Sequence, residues 1–174
     1  TDSKKDDIIC VSGTFGESGA GFDILSCARR NLKSYEKRLV QKHLSPKSAL
    51  KTANLISEKI KITSMTDSSD GLFKSLELLT SSFNKGADID LSKIPISEDL
   101  KKFTKYNVKK MYKYALFGAE EFELVFTVNP KDVNKLNKLF PHIVCIGNIN
   151  DSGEVAYFEN GKKQKIAYEG FVHF

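Results

Sequence analysis

Long apolar runs are missing from this 174-residue chain and no secretory signal appears in it, so nothing here suggests membrane insertion or export. Cysteine is scarce. Cys10, Cys27 and Cys145 are odd in number, widely spaced and without a Cys-x-x-Cys pair that would suggest zinc or redox work, and buried thiols in a reducing cytoplasm are expected. Arginine is limited to Arg29, Arg30 and Arg38. The net charge of +5 and pI near 9.0 therefore rest on scattered lysines. Pairs such as Lys109-Lys110 and Lys162-Lys163 lie among turns without a recognisable nucleic-acid module, so a solvated basic surface is expected and no nucleic-acid partner. A Gly-Lys-Ser/Thr phosphate loop and a Gly-x-Gly-x-x-Gly fingerprint are both absent, and only His43, His142 and His173 offer imidazole. No internal repeat or low-complexity linker interrupts the chain.

What is present is ordinary globular material, 40% hydrophobic and 28% charged, enough for one domain over residues 1–174. Thr1 to Asp7 is polar and Thr1 is no initiator, so the chain reads as a piece of a longer protein. Ile8 to Val11 predicts a buried strand. The glycines at 13, 16, 19 and 21 predict a turn, either a structural loop or a phosphate cradle, leading to a helix from about Phe22 to Tyr35. Leu44-Ser45-Pro46 signals another helix with Pro46 in its first turn. Ile60 to Met65 reads as a strand, Ser69 to Phe83 as an amphipathic helix closed by Lys85-Gly86, and Ala87 to Leu91 as a strand. Helices are expected over Ser97 to Phe103 and Lys105 to Tyr114, whose tyrosines suit packing. The rest reads as a strand over Phe122 to Val128, a helix from Pro130 to Leu139, then strands at 143–149, 155–158 and 165–168, the last two joined by an Asn160-Gly161 hairpin. The alternation defines an α+β fold, a mixed β-sheet packed with helices.

Two stretches carry chemistry. Asp67-Ser68-Ser69-Asp70-Gly71-Leu72 sets two carboxylates and hydroxyls before an amphipathic helix. Ser69 or Asp70 can cap that helix, whose free N–H groups favour anionic oxygens, and a carboxylate not used in capping can hold a hard cation such as Mg²⁺. Gly118-Ala119-Glu120-Glu121-Phe122-Glu123-Leu124 reads as a tight turn presenting Glu120 and Glu121 at the mouth of a strand, as an acidic surface turn or as part of a site. Strand alternation puts Glu123 on the face opposite Phe122 and Leu124, in a supporting role.

Together these stretches resemble the C-terminal half of thiamine-monophosphate kinases, members of the aminoimidazole ribonucleotide synthetase-related superfamily. Val11 to Phe22 is similar to the family's Gly-x-x-Gly-x-Ser-x-x-Gly element, His43-Leu44-Ser45-Pro46 to its His/Pro element, and Gly170-Phe171-Val172-His173-Phe174 to its terminal Gly-aromatic-x-His-Phe. Ser68, Ala119, Glu121 and Phe122 depart from the family pattern, which has an apolar residue, glycine, aspartate and tyrosine there.

The resemblance implies the superfamily's C-terminal domain fold and transfer of the γ-phosphate of ATP to thiamine monophosphate. It implies Mg²⁺ at Asp67 and Asp70, nucleotide phosphate near Ser69, and the thiamine moiety at Glu120 and Phe171. It also implies an N-terminal ATP-binding domain beyond this chain and a homodimer in the complete cytoplasmic enzyme. The alternatives it leaves open are another ATP-dependent, ring-closing enzyme of the superfamily, or a catalytically silent ligand-binding or assembly domain.

Overall fold

Alternation along Ile8–Val11 (β1) sends Ile9 and Val11 into one apolar cluster and Cys10 into another, so the strand is covered on both faces. Leu124–Val128 (β4) repeats the pattern, with Val125 on the first side and Leu124, Phe126 and Val128 on the second. Thr127 is tolerated in that buried strand because its hydroxyl meets Ser3 Oγ at 2.8 Å and Thr63 Oγ1 at 2.7 Å. Described here, in a computed structural model, are residues 2–27, 31–81 and 84–166.

Among the described residues, seven strands form one sheet in the order β2-β4-β1-β5-β3-β6-β7. The remaining strands are Ile62–Asp67 (β2), Gly86–Asp90 (β3), Val144–Asn150 (β5), Val155–Glu159 (β6) and Lys162–Gln164 (β7). Every pairing is antiparallel except β3 with β6, so the sheet is mixed as the sequence predicts.

Helices Leu72–Ser81 (α4) and Val108–Phe117 (α6) bury Leu72, Leu76, Ala115 and Leu116 on one face of the sheet. Helices Leu50–Lys59 (α3) and Val133–Leu139 (α7) contribute Ile56 and Leu136 to the cluster on the other. Each fully buried leucine or isoleucine contributes about 1.5–3 kcal/mol of transfer free energy. A third cluster joins Ala20 and Ile24 of Glu17–Ser26 (α1), Leu39 of Ser34–Leu44 (α2) and Leu100 of Glu98–Phe103 (α5).

Several boundaries differ from the sequence expectation. The expected helix over 22–35 is two helices, with α1 starting at Glu17 and α2 at Ser34. Gly19 and Gly21 lie inside α1 because bare backbone is needed there: a Cβ on Gly19 would stand 2.9 Å from Gly118 Cα, and one on Gly21 2.3 Å from the Leu39 carbonyl oxygen. Leu44 ends α2, and Pro46 sits in the link before α3 rather than in a first helical turn. Helix α4 starts at Leu72, its first intrahelical bond running from the Ser75 N–H to the Gly71 carbonyl.

The left-handed residue after α4 is Asn84 (φ 52), with Lys85 N–H bonded to Thr80 O, while Gly86 opens β3. Phe122 also has left-handed backbone (φ 54), which delays β4 to Leu124. Asn160 (φ 50) and Gly161 (φ 74) form the expected hairpin, but β7 starts immediately after it at Lys162, not at Lys165. Of the cysteines only Cys10 is buried; Cys27 is exposed and Cys145 intermediate, against the expectation of three buried thiols.

Candidate functional site

Antiparallel pairing of β2 with β4 matches Asp67 to Leu124, and so brings the Asp67–Asp70 stretch beside the Glu120–Glu123 stretch. Backbone bonds continue the contact past the strand ends. Ser68 N–H donates to Glu123 O at 2.8 Å, Phe122 N–H to Ser68 O at 3.0 Å and Glu120 N–H to Ser69 O at 2.7 Å. Left-handed φ values at Glu120 (61°) and Phe122 (54°) turn successive side chains in different directions. Glu120 faces outward, whereas Glu121 is fully buried.

A cleft of about 720 Å³ opens at this junction. Its walls come from Gly19, Phe22 and Asp23 of α1, His43 of α2, Lys110, Lys113, Tyr114 and Phe117 of α6, and the two loops carrying Ser69, Asp70, Gly118, Ala119 and Glu120. Three of the residues singled out by sequence, Ser69, Asp70 and Glu120, thus share one cavity. Asp67 does not line it; with Pro46, Leu50 and Phe122 it lines a separate recess of about 430 Å³. Phe171 and His173 lie outside the described residues.

Mixed charge defines the cleft. Glu120 Oε2 lies 3.6 Å from His43 Nδ1, which also meets Ser18 Oγ at 3.0 Å. Tyr114 donates its hydroxyl to Asp23 Oδ2 at 2.5 Å, and burial together with that bond raises the phenol above its ordinary range. The same ring packs edge-on against Phe103, in keeping with the packing role predicted for it. Lys110, expected from the sequence on a solvated surface among turns, instead lies on helix α6 and lines the cleft, and Lys113 carried no signal in the sequence. Lys110 stands three residues before Lys113 and four before Tyr114, so it neighbours both on α6, but the cleft they border is visible only once the neighbouring elements are in place.

The glycine-rich turn before α1 is occupied by protein. Glu121 Oε1 accepts the Ser18 N–H at 2.8 Å, placing a carboxyl group against the N-terminal turn of α1. Burial pushes the Glu121 carboxyl up to about 8, opposed by the Ser18 N–H and by Lys42. Glu123 accepts from Ser12 Oγ at 2.6 Å and from Lys42 Nζ at 3.2 Å, while Ser12 Oγ accepts the Leu124 N–H. A Cβ on Gly13 would strike the Glu123 carboxyl group at 2.5 Å, so that glycine makes room for a side chain of the chain itself. Of the two readings of the glycine turn, the structural loop is the one these contacts support; Glu123 has a supporting role through Ser12 and Lys42, but not by strand alternation, since β4 begins only at Leu124.

Among the described residues, no three Asp, Glu, His or Cys side chains gather as a closed metal cage. Asp70, on the cleft wall, could hold Mg²⁺ only in the mode of one or two carboxylates completed by water and phosphate oxygens. No helix among the described residues is long and apolar enough to cross a membrane.

A mixed seven-stranded α+β domain with an acidic and lysine-bearing cleft beside a Ser-Asp-Gly turn defines the class. The chain belongs to the family of AIR synthase related proteins, C-terminal domain, whose family model matches residues 4–158. Within that family it is similar to the thiamine-monophosphate kinases of Buchnera aphidicola (33% identity over 177 residues, 97% of this chain and 53% of the relative) and Aquifex aeolicus (33% over 168 residues, 97% and 52%). Among solved structures, AaThiL complexed with AMPPCP and TMP is similar with a TM-score of 0.84 at 29% identity, over 99% of this chain and 52% of that one. Escherichia coli HypE, at 19% identity and a TM-score of 0.69 over 94% of this chain and 50% of its own, shares the fold. The chain spans about half the length of the curated relatives it matches.

Proposed function

We propose that this chain is the substrate-side half of a kinase that moves the γ-phosphoryl group of ATP onto the phosphate of thiamine monophosphate, giving thiamine diphosphate. The observation that carries the reading is the meeting of Ser69, Asp70 and Glu120 in one cleft. Similarity to thiamine-monophosphate kinases over nearly the whole chain supports it.

The acceptor oxygen is already an anionic nucleophile, so the demand on the protein is placement and relief of crowded negative charge, not proton abstraction. Glu120 sets a carboxylate toward the cationic thiamine ring system, with Phe171 as the proposed aromatic cover. Lys110 and Lys113 offer positive charge and Ser69 a hydroxyl donor to phosphate oxygens. Asp70, with Asp67 from the neighbouring recess, would hold Mg²⁺, which when bound neutralises phosphate charge. The remaining ATP and metal contacts belong, in this reading, to an N-terminal domain, the whole enzyme being a cytoplasmic homodimer.

The experiment that tests the reading joins this chain to its own N-terminal half and follows thiamine monophosphate with ATP and Mg²⁺. Formation of thiamine diphosphate is the expected outcome. An active nucleotide-hydrolysing or ring-closing enzyme that ignores thiamine monophosphate would overturn it.

A further inference from the structure

The sheet carries a second chemically competent pair away from the cleft. Cys10 on β1 and Cys145 on β5 are directly opposed across an antiparallel ladder, and their sulfurs are 3.4 Å apart. A local irregularity creates this match: Ile9 opposes Gly147 and Cys10 opposes Cys145, so β5 carries one extra residue, Ile146, at that point. Without the bulge Cys10 would face Ile146. Opposed residues in antiparallel strands have Cα atoms about 4.5–5.5 Å apart, inside the range that a disulfide spans without moving the backbone.

The two thiols are not equivalent. Cys10 is buried between strands, whereas Cys145 is partly accessible. The sulfur–sulfur contact, helped by the charge of Lys93, lowers the Cys145 thiol, while the same contact and burial raise that of Cys10. One sulfur is thus equipped to attack and its neighbour to resolve.

From the register and the sulfur contact we infer that Cys10 and Cys145 form a reversible cross-strand disulfide by exchange with a low-molecular-weight disulfide. The Cys145 thiolate attacks one sulfur of the small disulfide, forming a mixed disulfide and releasing the first small thiolate. Cys10 then gives up its proton, attacks Cys145 Sγ and expels the second. The protein pair loses two electrons and two protons; the small disulfide gains both and leaves as two thiols. The new bond ties β1 to β5 at the centre of the sheet.

The test uses the chain with the exposed Cys27 replaced by serine (Cys27→Ser), incubated with oxidised glutathione and read by intact mass and peptide mapping. The expected product has lost two hydrogens and yields a peptide linking residues 10 and 145. Dithiothreitol should return the starting mass, and the oxidised form should melt about 5–15 °C higher. Adding Cys10→Ser to this chain should stop the reaction at a glutathione adduct on Cys145, because the resolving thiol is gone. A stable adduct on Cys145 while Cys10 is still present, or no reaction with both thiols alkylated after unfolding, overturns the inference.

Discussion

Glu121 is fully buried, gives one oxygen to the Ser18 N–H, and has no hydrogen-bond partner for the other among the described residues. Its folded-state value near 8 exceeds the ordinary 4.5, so between those two values the folded chain keeps a proton that the unfolded chain has released. Stability from this group is therefore complete below pH 4.5 and falls as pH rises toward 8. At pH 7 the accumulated loss is about 3 kcal/mol. Urea midpoints measured from pH 5 to 8 should decline in the parent chain and decline less in Glu121→Gln, which keeps the acceptor for Ser18 without an ionisable proton. Identical slopes would show that Glu121 does not titrate in this window. Its neighbour Glu120 should behave differently. In the complete enzyme Glu120→Gln should leave folding and nucleotide affinity unchanged while weakening thiamine monophosphate binding roughly 10- to 150-fold, the range for a hydrogen bond to a charged partner, as read by calorimetric titration.

At the level of elements, the two glycines inside α1 make a paired test. Alanine is the better helix former by about 1 kcal/mol, yet at Gly21 its methyl group would meet the Leu39 carbonyl and push α2 away. Gly21→Ala should lower stability by about 1–3 kcal/mol in thermal unfolding. At Gly19 the obstacle is Gly118, at the base of the loop that carries Glu120, so Gly19→Ala should disturb ligand binding more than melting. The same glycines explain what could be read from the sequence. Their low helix propensity suggested a loop, and contacts with residues far along the chain overrode it. Capped, strongly amphipathic segments were legible: Ser97 accepts the Leu100 N–H and Asn107 the Lys110 N–H, close to where α5 and α6 were expected. The short motifs marked Ser69, Asp70 and Glu120, whereas the lysines of α6 acquired meaning only once β2–β4 pairing placed a helix across from them. Asp67 shows the opposite limit, since adjacency in a motif did not give adjacency in a cavity.

For the molecule as a whole, the proposed division of labour predicts a chain that folds and shows cooperative unfolding but does not turn over. Robust thiamine diphosphate formation by these 174 residues alone would refute that division. In the complete enzyme Asp70→Asn should lower kcat and raise the Mg²⁺ requirement more than Asp67→Asn, because only Asp70 opens into the cleft with Ser69 and Glu120. The sheet order has a consequence for how the chain emerges during synthesis. Ile8 pairs with Val128 on one side and Asn148 on the other, so the earliest strand of this sheet waits for two strands made more than a hundred residues later. Until the ribosome has delivered β4 and β5, β1 has neither neighbour and its apolar residues have no sheet to cover. Such non-local pairing puts folding in the slow, millisecond-to-second class and leaves the nascent strand as a natural client for a holding chaperone.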